Sequence, residues 1–270
     1  MKLKLNLIGG IAAAAITIAS IASTASAQSL EAIKAAGKIR IGMQVDFPPY
    51  GILNTSGQPD GYDADVAKLF AERLGVEAEI VPVTGPNRIP NLLTGRLDAL
   101  IASLSMTPDR AKQVRFSNPY ALVETVIFGR KDLPVKSLAD LAGVSVAVPR
   151  ASAQDVSLTK TAPEGTVIQR FDDDPASTQA LLSGQVQAVA AGTTVVVQIE
   201  KIAPPDTFET KFSLYQTVFG IAVAPAQEEL HNWSNEFVAT ALADGSLNAI
   251  HKKWLGRDLP EMQIPDYIKP

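Results

Sequence analysis

One run concentrates the groups that could do chemistry in this chain, Ser103-Leu104-Ser105-Met106-Thr107-Pro108-Asp109-Arg110. Thr107 is a good N-cap residue and Pro108 a good first helical residue, so the run predicts a helix start with unpaired N–H groups. Two hydroxyls, a helix N-terminus and a guanidinium fork together suit a carboxylate. Taken alone, Arg110 has a solvated surface position as its commoner fate. Pro149-Arg150-Ala151-Ser152-Ala153-Gln154 repeats part of the pattern, with Ser152 placed to cap a second helix whose N–H groups face the same ligand. Phe47 lies in the loop Asp46-Phe47-Pro48-Pro49-Tyr50, where an aromatic ring can stack on a ligand. For a single Phe, core packing is the default.

Other chemistries have little to work with. The chain has no Cys, which excludes thiol nucleophiles, disulfides, Cys-ligated zinc and iron–sulfur clusters. Its two histidines, His231 and His251, fall in C-terminal helical stretches without metal-ligand spacing, so no metal or cofactor is implied. No Gly-x-Ser-x-Gly, P-loop or dinucleotide fingerprint occurs. Lys and Arg number 24 against 28 Asp and Glu, a net charge of −4 that does not suit a nucleic acid partner.

The elements that must position these residues alternate strand and helix. Lys38–Met43 reads as a strand, Ala64–Leu74 as a helix with Val66, Leu69, Phe70 and Leu74 on one face, and Glu79–Val83 as the next strand. Gly75 stands where a helix C-terminus wants glycine. Val144–Val148 is a further strand, leading into the Ser152 loop. This order implies an α/β protein of parallel sheets with helices outside.

There is also an internal echo. Leu92-Leu93-Thr94-Gly95-Arg96-Leu97-Asp98-Ala99 matches Leu181-Leu182-Ser183-Gly184-Gln185-Val186-Gln187-Ala188 in pattern, each a helix end, a Gly and a buried strand. Two similar lobes would follow, or a coincidence of common βα patterns. Ligands of open α/β sheets bind beyond the carboxyl ends of strands, so Ser103 and Gly192 would face one another across a cleft.

With 46% hydrophobic residues among 270, the chain has ample surface to bury and is neither disordered nor polytopic. Mean hydropathy is +0.12. Lys2 and Lys4 precede an apolar run from Leu5 to about Ala22 that leads into Ala25-Ser26-Ala27. This is a secretory signal cleaved after Ala27, residues 1–27 in all. Without Cys it is not a lipoprotein signal, and a periplasmic location fits best.

Taken together the residues resemble the periplasmic amino-acid-binding proteins of ABC importers, the polar-amino-acid solute-binding family. The marks are Lys38–Tyr50, Gly61-Tyr62-Asp63-Ala64-Asp65, Asn87-Arg88-Ile89-Pro90, Gly95–Ala99, Ser103–Arg110, Phe116–Tyr120 and Ala243-Asp244-Gly245-Ser246 with Lys253-Trp254-Leu255-Gly256. The resemblance implies a two-lobed periplasmic-binding-protein fold, with lobe one at 28–121 plus 220–270 and lobe two at 122–219. Leu122–Thr125 and Thr217–Gly220 would form the hinge. It also implies a monomer that closes on an amino acid or related carboxylate and delivers it to an ABC permease. Arg110 would clamp the ligand carboxylate with Ser103 and Ser105, Ser152 and Ala153 would reach it from lobe two, and Phe47 would stack on the ligand.

One position departs from the resemblance. Where the family carries an Asp that pairs with the ligand α-ammonium, this chain has Gly192, and the nearby Asp of the same motif is Gln187. A buried ammonium without a partner is costly. Either Asp46 substitutes or the ligand lacks a free primary amine. Arg88 either contacts a second carboxylate, as in relatives that bind acidic amino acids, or braces its loop. The other Arg of that acidic pocket is Gln44 here. An enzyme reading also exists, a cyclohexadienyl dehydratase on the same fold with Asp155 as its acid. An acidic residue in a helix first turn is favoured by the helix dipole in any case.

Overall fold

The computed structural model describes residues 29–268. The apolar leader and its expected cleavage site at Ala27 lie outside the described residues.

The chain runs α1 (Leu30–Ala36), β1 (Lys38–Gln44), the short hairpin β2 (Ile52–Leu53) and β3 (Pro59–Asp60), α2 (Tyr62–Leu74), β4 (Glu77–Val83), α3 (Arg88–Leu93), β5 (Ala99–Leu100), α4 (Pro108–Ala111) and β6 (Arg115–Arg130). It continues through β7 (Ser145–Pro149), α5 (Ala153–Thr161), β8 (Val167–Phe171), α6 (Asp174–Leu182), β9 (Ala188–Gly192), α7 (Thr193–Ile202), β10 (Phe208–Val223), α8 (Glu228–Ala243) and α9 (Ser246–Leu255).

Hydrogen bonding links the main strands in the order β4-β1-β5-β10-β6-β9-β7-β8. Read inward from the two edges, the halves match: β4-β1-β5-β10 on one side and β8-β7-β9-β6 on the other. Within each half the first three strands are parallel. The long strand of each half is antiparallel to its short neighbour. The sequence echo falls on equivalent places, since α3, Gly95 and β5 in one half correspond to α6, Gly184 and β9 in the other. Both glycines adopt positive φ, 71° and 76°, which only glycine takes up without cost.

Two strands of 16 residues, β6 and β10, pair with each other along their length and pass from one lobe into the other. Leu122 and Val123 stand opposite Val218 and Thr217 in that pairing, with register shifts around Gly220. The protein is a two-lobed α/β fold in which each lobe is a mainly parallel half-sheet flanked by helices.

Local sequence explains how the lobes hold together. The apolar face of α2 is buried at Val66, Phe70 and Leu74, and Phe70 meets Phe237 of α8 edge-on with ring centroids 5.0 Å apart. Gly75 closes this helix at φ 79°, its N–H donating to Ala71 and Glu72. The helix begins at Tyr62 rather than Ala64, because Tyr62 is fully buried and its hydroxyl donates to the Tyr120 carbonyl at 2.8 Å. The helix expected after Thr107 forms, capped by the Thr107 hydroxyl and with Pro108 first, but it is a single turn before the chain enters β6.

Candidate functional site

The carboxyl ends of β1, β7 and β9 reach one cavity, and the segments after β5 and β8 reach it too. It is lined by Gln44, Phe47 and Arg88, by Ser103 and Ser105, by Pro149, Ser152 and Ala153, and by Asp174 and Gly192, with Phe219, Val123 and Thr125 as its floor on the long strands. Its volume is about 50 Å³. The lobes touch around it. Arg110 donates across the cleft to the Ala151 carbonyl at 3.1 Å, Lys160 pairs with Asp109, and a Cβ added at Gly85 would stand 3.0 Å from the Arg150 carbonyl. The cleft is therefore narrow, with both lobes contributing walls.

Two buried guanidinium groups lie at this cleft. Arg110 donates to the Ser105 carbonyl at 2.9 Å as well as to Ala151, so the residue spans the gap between lobes. It is 8% exposed, and burial followed by the nearby Arg88 charge lowers its pKa to about 9. Arg88 donates to the Gln44 side chain at 2.9 Å and to the Ala102 carbonyl at 2.8 Å, and burial lowers it to about 10. It both braces the β1 and β5 ends and lines the cavity. Among the described residues neither guanidinium has a carboxylate within ion-pair distance.

The serines divide by role. Ser103 sits at φ 45°, a strained conformation for a residue with a side chain, and lines the cavity. Its hydroxyl donates to Asp63 at 2.7 Å and its N–H donates to the Tyr120 hydroxyl at 3.1 Å. Both of its donors are thus committed to lobe one, which removes the expected hydroxyl donation to a carboxylate. Ser105 lines the cavity beside the Arg110 attachment. Ser152 caps α5 by accepting from the Asp155 N–H at 3.1 Å, leaving the first-turn N–H groups of Ala153 and Gln154 at the cavity wall.

Position 192 has a local explanation. A Cβ there would stand 3.3 Å from Cζ of Phe47 and 3.0 Å from a Val123 methyl. The Phe47 ring, stacked on Tyr50 at 5.3 Å and edge-on to Phe219 at 6.4 Å, fills the space that a larger residue would occupy. Phe47 accordingly serves as both core and cavity wall.

Carboxylates are nonetheless present. Asp174, at the first turn of α6, lines the cavity, is 5% exposed, and its Oδ1 has no hydrogen-bond partner. Burial pushes its pKa up to about 8, Asp46 and Asp173 add to the shift, and Arg88 opposes it. Asp46, on the loop beside Phe47, also holds a buried Oδ1 without a partner, and burial raises it. Sequence reasoning named Asp46 but missed Asp174. The signal was available: Asp172-Asp173-Asp174-Pro175 follows a strand of lobe two, and the rule that ligands lie beyond strand ends applies to β8 as it does to β5.

The remaining candidates belong to the scaffold. Asp155 accepts from the Ala151 N–H at 3.0 Å and pairs with Arg170 at 2.8 Å. His231 lies 2.8 Å from the Phe116 carbonyl and His251 2.8 Å from that of Arg257. Among the described residues no His/Asp/Glu cluster could hold a metal, and no helix is long and apolar enough to cross a membrane.

Two lobes that meet at a cleft lined by the buried Arg88 and Asp174 have the form of a receptor for a small polar solute. The chain belongs to the bacterial extracellular solute-binding proteins, family 3, whose pattern matches residues 39–257. It is 26% identical over 255 residues to the L-cystine-binding protein TcyJ of Escherichia coli (strain K12), covering 94% of this chain and 96% of that one. It is 31% identical over 244 residues to the ABC transporter glutamine-binding protein GlnH of Bacillus subtilis (strain 168), covering 86% of each. The solved structure of a solute receptor for L-cysteine of Neisseria gonorrhoeae superposes with a TM-score of 0.78 at 30% identity, covering 84% of this chain and 94% of that one. The chain is thus a substrate-binding protein related to the amino-acid receptors of ABC transporters.

Proposed function

We propose that this protein captures a free amino acid outside the inner membrane and delivers it to an ABC permease. The observation that carries the reading is the pair of buried charged groups that line the cavity, Arg88 without a carboxylate at ion-pair distance and Asp174 with an oxygen that has no partner. With them go Arg110, which is not itself a lining residue but is bonded to the lining residue Ser105, and Asp46, next in the chain to the lining residue Phe47. A zwitterion supplies both missing partners at once. Arg110, Ser105 and the α5 N–H groups take its carboxylate, and Phe47 packs on its body. The lobes divide at about 121/122 and 219/220, inside the paired long strands, so that rotation there opens the cleft. Ligand contacts with both lobes favour the closed form by their differential affinity. Secretion follows from the N-terminal leader, with cleavage after Ala27.

Turnover is not part of the reading. The acid that a dehydratase would need at Asp155 has its oxygens engaged by Ala151, Thr159 and Arg170. Protein unfolded, dialysed and refolded is expected to gain thermal stability from at least one member of a panel of L-amino acids that includes cystine, by simple linkage. Stabilisation by none of them, or sustained release of phenylpyruvate from prephenate, would contradict the proposal.

A further inference from the structure

Gly192 leaves the end of β9 without a charge, and the Phe47 ring occupies the adjoining space. The counter-charge must come from elsewhere if a cation is to bind. Asp174 has the required properties: it lies on the same lobe, lines the same cavity, is buried, and keeps Oδ1 free of any hydrogen bond. An ionised carboxylate in that position without a partner is costly, and the cost ends when a cation docks. Asp46 approaches from lobe one and interacts electrostatically with it.

We propose that Asp174, seconded by Asp46 from the opposite lobe, is the anchor for the free ammonium of the bound amino acid. The assignment rests on the amino-acid reading above and deepens it. Two acids on opposite lobes repel when both are ionised, and an ammonium between them turns that repulsion into a bridge that draws the lobes together. The groups that face Asp174 are Asp46, its own neighbour Asp173, and Arg88 from α3. Burial lifts the carboxyl to about 8, which favours the protonated acid at neutral pH, and a docked ammonium favours the carboxylate instead.

The test is calorimetry of wild type, D174N and D174N/G192D with L-cystine, L-cysteine and L-glutamine as probes, with thermal unfolding followed in parallel. D174N is expected to lose on the order of a hundredfold in affinity for whichever probe binds wild type. The added G192D, whose Cβ alone would stand 3.0 Å from a Val123 methyl and 3.3 Å from the Phe47 ring, is expected to restore part of that loss by displacing the ring. D174N within about threefold of wild type would overturn the assignment while leaving the amino-acid reading in place. Wild type that binds none of the three probes but binds glutarate, a dicarboxylate without an amine, would overturn both. If D174N fails to fold, carboxyl NMR of wild type gives the reading: saturation with a binding probe should move the Asp174 titration to lower pH, and an unmoved titration would overturn the assignment.

Discussion

Asp63 and Asp174 are both buried carboxylates, one in each lobe, and they differ in what they touch. Asp63 accepts from Ser103 at 2.7 Å and from Tyr120 at 2.8 Å, so both oxygens are occupied. Asp174 leaves an oxygen with no partner. The same contrast separates two arginines. Arg40 forms a two-pronged ion pair with Asp98, at 3.0 and 2.6 Å, whereas Arg110 finds only backbone carbonyls. Burial alone does not tell structure from site. A buried charge whose partners are already in the chain fastens the fold, and one whose partners are missing awaits a ligand.

Arg110→Ala should break the comparison most strongly. In the proposed reading the side chain carries the carboxylate grip, and it makes one cross-lobe hydrogen bond, so binding should weaken by about 2–5 kcal/mol, as for truncating one partner of a buried charge pair. Unfolding of the ligand-free protein should change little in comparison. Calorimetry showing affinity within about threefold of wild type would move Arg110 from the ligand group to the scaffold group.

Asp63→Asn should produce a smaller effect of the opposite kind, on stability. Burial raises the Asp63 pKa to about 6 from 3.8, against hydrogen bonds from Ser103 and Tyr120 that lower it. The folded state therefore holds this proton more tightly than the unfolded chain. The resulting stability is fully present below about pH 4 and is lost as pH rises through about 6, roughly 3 kcal/mol in all. Urea midpoints for wild type should fall across that window more steeply than those of Asp63→Asn, which keeps the residual slope of Asp46 and Asp174, both also raised by burial. Below pH 4 the variant should be weaker by about 1 kcal/mol, since the amide offers one acceptor where the acid pair used two. An unchanged slope in Asp63→Asn would place the titration elsewhere.

Much of this was legible in the sequence. The echo at Gly95 and Gly184 predicted two equivalent half-sheets, and the N-cap logic at Thr107 and Ser152 located two helix starts on the cleft. Two features were not. Ser103 reads as a free hydroxyl, but its left-handed backbone and its bonds to Asp63 and Tyr120 depend on residues distant in the chain. Asp174 reads as one of three acids before a proline, and only the tertiary fold buries it while Asp172, which lines the same cavity, stays exposed. The absence of an acid at position 192 is legible in the sequence. What filled that space, the ring of Phe47, required coordinates.

The most direct test compares the amino acid that stabilises the refolded protein with two analogues, one lacking the α-ammonium and one lacking the α-carboxylate, by calorimetry on wild type. Because the proposed site gives the carboxylate a guanidinium and the ammonium a carboxyl partner, each analogue should bind on the order of a hundredfold more weakly than the parent. An amine-free analogue that binds as tightly as the amino acid would contradict the account, leaving Asp46 and Asp174 without a ligand group to meet.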